Sequence, residues 1–138
     1  MFGLFENKQG KALVAETLRT IEHADLLSTK DKNKVAKNVF TKIIKAINEI
    51  NGVPHGPKLD KIMQKQIQDA TKQRQKQITA DEERNPKWIE TALFESFLLM
   101  NCGKFGEKIS KQSIIVGGWC RENMTQAELN KFEKKLSK

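Results

Sequence analysis

Lys58, Lys61, Lys65, Lys72 and Lys76 carry the clearest chemistry in this sequence. An ammonium group is a compact point charge that seeks carboxylates and phosphates. On a helix all five share an arc of about 60°, while Leu59, Ile62, Met63, Ile67, Ala70 and Ile78 line the front. The spacing therefore predicts a helix over 58–78 with an apolar face and a lysine back, a ridge about 27 Å long at a rise of about 1.5 Å per residue. Lys61 with Lys65, and Lys72 with Lys76, are like charges four apart, each pair costing about 0.2–0.5 kcal/mol unless a partner neutralises it. Asp60 and Asp69 lie off the centre of the ridge and form no ladder with the lysines. The ridge is the candidate partner-binding element, although the step from Lys65 to Lys72 interrupts any continuous phosphate track.

Other residues of chemical interest do not converge. His23, His55, Cys102 and Cys120 show none of the close-pair spacings of zinc sites, so no metal and no cofactor is expected. His23 has Glu22 and Asp25 nearby, but neighbours one or two apart point to different faces of a helix. Cys102 precedes the glycine that would close a helix, and a helix C-terminus disfavours a thiolate. No catalytic residue is assigned, and the chain is read as a non-enzyme. Gly103-Lys104-Phe105-Gly106 followed by Ile109 resembles the GxxG loop of KH nucleic-acid-binding domains, which implies a basic loop gripping a nucleic-acid backbone between two helices. The overlap is confined to 103–109. Asn101 and Cys102 stand where that family usually has aliphatic residues, and its strands are not evident, so the segment is read as a helix-ending glycine and a turn. Lys104, Lys108 and Lys111 form a secondary basic patch there.

Composition bounds the partners. A chain of 138 residues fits one domain that can bury about two thirds of the surface its unfolded form exposes. Lys plus Arg number 25 against 17 Asp plus Glu, and a net charge of +8 favours encounter with acidic proteins, nucleic acids or anionic surfaces. Only four of those cations are arginine, the residue suited to forked phosphate and guanine contacts, and tyrosine is absent. An acidic protein surface is favoured over sequence-specific reading of nucleic acid. Hydrophobic runs such as Phe97 to Met100 are far too short to span a bilayer, and Met1 to Phe5 lacks the basic leader of a secretory signal. Phe2, Leu4 and Phe5 have no lysine flank before Lys8, so they are read as an arm closing one end of the fold and not as a membrane insert. The two cysteines are expected as thiols in a reducing cytosol.

The elements that must position the ridge read as helices throughout. A helix over 8–27 would place Val14, Leu18 and Ile21 on one face. Ser28 and Thr29 supply cap chemistry for a second over 30–51, with Val35, Val39, Ile43, Ile47 and Ile50 as its stripe and Lys30, Lys34, Lys37 and Lys45 behind. Gly52 can end it in the left-handed conformation, and 53–57 reads as loop. Asn85 and Pro86 then start a helix over 86–101 whose apolar residues cover most of its circumference, which marks it as the centre of the fold. The stretch 80–101 is also the one acidic section, with five acids against two bases. A fifth helix over 107–123 contains Gly117 and Gly118, with a short strand at 114–116 as the alternative. Thr125 and Glu128 form a capping box for a last helix carrying Leu129, Phe132 and Leu136.

The expectation is thus a single all-α domain, a compact bundle of five to six helices. Its expected role is macromolecule binding through the lysine helix, as an inhibitor, an immunity-type antagonist or an adaptor meeting an acidic protein. The alternative is a sequence-tolerant nucleic-acid binder using the same basic surface.

Overall fold

A computed structural model describes the backbone of residues 2–76, 85–101 and 115–136, with side chains placed for 10–76, 85–100 and 115–135. Its described residues form six helices and no strand: α1 (Phe2–Asp25), α2 (Thr29–Ile50), α3 (Pro57–Lys76), α4 (Pro86–Asn101), α5 (Ile115–Glu122) and α6 (Gln126–Leu136). None of them is long and apolar enough to cross a membrane.

Local chemistry sets the helix starts. Ser28 accepts a hydrogen bond from the Asp31 backbone N–H at 3.1 Å, and Asn85 Oδ1 accepts one from Lys87 N at 2.9 Å. Each satisfies a donor that the first turn would otherwise leave open. Thr125 and Glu128 cap reciprocally, with Thr125 N donating to Glu128 Oε1 at 2.8 Å and Glu128 N donating to Thr125 Oγ1 at 3.2 Å. Gly52 takes φ +84° just past α2, where a side chain would be strained. Pro57 then opens α3 at the position where its missing N–H costs nothing.

α4 is the centre. It packs against α1, α2, α3 and α5, and Trp88, Ile89, Ala92, Leu93, Phe97 and Leu98 are buried around it. Each large side chain fully withdrawn from water contributes about 1.5–3 kcal/mol, so this one helix organises much of the core. α2 meets it with Val35, Val39, Phe40, Ile43 and Ile44, and α5 adds Val116, Trp119 and Cys120. Phe132 of α6 stacks on Phe40 with ring centroids 5.3 Å apart. Asn33 on α2 donates to Glu128 Oε1 at 2.9 Å and to the Asn123 carbonyl at 3.0 Å, which pins the start of α6.

α1 departs from its sequence reading. It begins at Phe2, so the apolar segment read as an arm has helical backbone, and it ends at Asp25. Its buried face is Thr17, Thr20 and Ala24, whereas Leu18 is 45 % exposed and Val14 and Ile21 are half-buried. The hydroxyls of Thr17 and Thr20 donate to the carbonyls of Leu13 and Glu16, at 2.8 and 3.0 Å. With its polar group satisfied inside its own helix, threonine packs as a small hydrophobe, which a count of apolar letters overlooks. Ile115 and Val116 are helical, so the strand alternative is not taken up in the described residues.

Candidate functional site

The ridge is built on α3 from its buried side outward. Leu59, Met63 and Ala70 are buried and Ile62 and Ile67 half-buried, which fixes the rotation of the helix about its axis. Lys58, Lys61, Lys65, Lys72 and Lys76 consequently all point to water, and each is exposed. Among the described residues no carboxylate lies within 4.0 Å of any of these five ammonium groups. Asp60 and Asp69 are exposed and do not neutralise them.

Three cations elsewhere pair with glutamates across helix boundaries. Arg74, also on α3, forks onto Glu95 of α4, with Nε to Oε2 at 2.9 Å and Nη2 to Oε1 at 3.2 Å. Lys42 of α2 reaches Glu90 of α4 at 3.0 Å, and Lys37 reaches Glu128 at 3.1 Å. Glu90 and Glu95 come from the one acidic stretch of the sequence, and these two are committed to internal pairing. A half-buried forked pair is geometrically specific, whereas an exposed lysine without a partner contributes little to stability.

Beside the ridge, between α2, α3 and α4, opens a cleft of about 240 Å³ that no sequence pattern announced. Its floor is made by the buried Ala46, Ala70 and Thr91 with the half-buried Phe94, and exposed Lys45 and Asp69 stand on its rim. α2 and α3 each contribute one alanine to its lining, Ala46 and Ala70. Asp69 lies four residues from Lys65 and three from Lys72, so ridge and rim are neighbouring strips of one helix surface.

The remaining sequence candidates are placed elsewhere. Asp25 accepts a hydrogen bond from Trp119 Nε1, so its carboxylate is engaged in packing α1 against α5. Burial pushes the Cys120 thiol up to about 12, with Arg121 opposing weakly, and such a sulfur is a poor nucleophile. Among the described residues no group of three His, Cys, Asp or Glu side chains is arranged to hold a metal ion. Lys104, Lys108 and Lys111, the Gly103 to Gly106 loop and Cys102 lie outside the described residues. No protein family, curated protein or solved structure matches the chain.

Proposed function

We propose that the protein is a non-enzymatic binding protein whose α3 docks on an acidic surface of another protein, in the manner of an inhibitor, an immunity-type antagonist or an adaptor. The observation that carries this reading is the unequal treatment of the cations. Lys37, Lys42 and Arg74 are matched to glutamates across helix boundaries, while the five ridge lysines have no such partner among the described residues. Uncompensated like charges four apart cost stability. A folded chain that carries them on one face of one helix, within a net charge of +8, is suited to steering an acidic partner and supplying charge pairs at the rim of the contact.

The test is capture from native cell lysate by the full chain and by a variant with Lys61→Glu, Lys65→Glu and Lys72→Glu. The wild-type chain is expected to retain a protein partner that the variant loses. A partner held equally well by both would overturn the choice of surface. A parallel mobility-shift assay with mixed DNA and RNA at about 50 and 200 mM salt addresses the alternative, because phosphate binding weakens steeply over that range through counterion release. Strong retardation at low salt that collapses at high salt would replace the protein partner with a nucleic acid.

A further inference from the structure

We infer that the exposed strip of α1 centred on Leu18 is a self-association surface, on which a second copy of the chain packs its own α1 antiparallel about a two-fold axis. The inference is independent of the reading of α3. Burial of Thr17, Thr20 and Ala24 fixes the rotation of α1 about its axis and leaves Lys11, Ala15, Leu18, Glu22 and Asp25 all exposed. Steps of four, three, four and three put these positions in one line along the helix, the spacing with which one helix packs along another. The half-buried Val14 and Ile21 border the line on its inner side, so its middle is apolar while its ends are charged. Leu18, 45 % exposed, is the large hydrophobic side chain of the line and stands at its midpoint.

Charge selects the occupant. Lys11 lies seven residues before Leu18 and Asp25 seven after it, about 10.5 Å to either side along the helix. When two such helices are laid antiparallel with their leucines in contact, Lys11 of each copy comes opposite Asp25 of the other, with Glu22 about one turn away. The two-fold axis makes every such pair twice. Parallel packing would instead set lysine on lysine and acid on acid. Ala15 falls opposite Ile21 of the other copy, where a small side chain lets the helices approach.

These charges are not spent within the protomer. Among the described residues no ion pair within 4.0 Å involves Lys11, Glu22 or Asp25. Asp25 gives Oδ1 to Trp119 Nε1, and its other carboxylate oxygen can still accept. Residues 10–25 carry two bases against three acids in a chain of net charge +8, so an anionic membrane, a nucleic acid or the acidic partner of α3 finds no excess of cations on this helix. A pair of helices touching over about four turns is small for a protein interface, and the dimer is expected to be weak and concentration-dependent.

The test is sedimentation equilibrium of the full chain from about 10 μM to 1 mM, beside Leu18→Asp and Lys11→Glu, with circular dichroism to check that each variant is folded. The wild-type chain is expected to pass from monomer toward dimer across that range. Leu18→Asp should weaken the dimer at least about tenfold, because it sets two carboxylates against each other on the axis. Lys11→Glu should weaken it about three- to tenfold, as two attractive pairs become repulsive. Polarity is read in Cys102→Ser chains carrying one new cysteine and treated with a short bismaleimide. Leu18→Cys should be joined to its counterpart, whereas Lys11→Cys, about 21 Å from its own along an antiparallel pair, should not. A chain that stays monomeric at the highest concentration overturns the proposal, as does a dimer that either charge substitution leaves unchanged. Equal cross-linking at 11 and 18 overturns the antiparallel packing. A monomeric wild-type chain whose Leu18→Asp variant loses a protein captured from lysate would give the strip to a different partner and likewise overturn self-association.

Discussion

The indole Nε1 of Trp119 donates a 3.0 Å hydrogen bond to Oδ1 of Asp25, a residue 94 positions earlier in the chain. The bond joins the end of α1 to α5 and supplies the acceptor that a buried indole requires. Asp25→Ala is expected to lower stability by about 1–2 kcal/mol, because the indole N–H loses its acceptor while position 25 itself stays in water. Asp25→Asn retains an oxygen and should lose less. Urea denaturation of the three proteins measures the order, and an unchanged midpoint for Asp25→Ala would show the bond to be energetically idle.

Acid stability should depend on Glu128. The backbone N–H of Thr125 and the Asn33 amide, helped by Lys37, hold its carboxyl at about 2, below the usual 4.5. A depressed carboxyl contributes stability that is fully present above 4.5 and is lost as pH falls toward 2. Glu128→Gln removes that titration, so stability should be lower at neutral pH and fall less steeply between those two values. Denaturation midpoints taken from pH 7 downward decide it, and parallel acid limbs would rule the linkage out.

Gly118 invites the opposite change. It sits inside α5, and a Cβ built on it meets nothing within 4 Å among the described residues. Gly118→Ala should therefore raise stability by about 0.5–1 kcal/mol, through reduced freedom of the unfolded chain. A lower melting temperature would mean that another backbone approaches there after all.

Position 61 separates stability from binding. A carboxylate introduced by Lys61→Glu would face Lys58 and Lys65 on the surface of α3, in the favourable order for a pair four apart. Stability should rise by about 0.5 kcal/mol while partner capture weakens. If both properties fell together, the lysine would be serving the fold.

Cys120 should be silent toward thiol reagents in the native protein. Its sulfur is fully buried and its pKa pushed up to about 12, so thiolate is scarce and access requires opening of the core. In a Cys102→Ser background, labelling at pH 8 should follow the unfolding equilibrium as urea is added. Rapid modification in buffer alone would contradict the packing of α5.

The candidate site was only partly legible in the order of residues. The exposure of Lys58, Lys61, Lys65, Lys72 and Lys76 follows from the helical period once Leu59, Met63 and Ala70 are assigned inward, and all three are buried. The fate of Arg74 does not follow. It lies two residues from both Lys72 and Lys76, yet its partner Glu95 is 21 positions away and comes within reach only when α3 lies against α4. The cleft is invisible for the same reason, since its lining residues on α2, α3 and α4 come together only when those helices pack.

What the sequence alone determined is what operates within about four residues: the helical period of α2 and α3, the caps at Ser28, Asn85 and Thr125 with Glu128, and the apolar girth of α4. What tertiary structure decided is which side chains separated by tens of residues share a neighbourhood. That includes the rotation of α1 onto Thr17, Thr20 and Ala24, the bond from Trp119 to Asp25, and the division between cations that join helices and cations left on the surface. The physical reason is range. Capping and periodicity are local interactions, whereas packing and ion pairing across helices depend on distances that exist only after the chain has closed around α4.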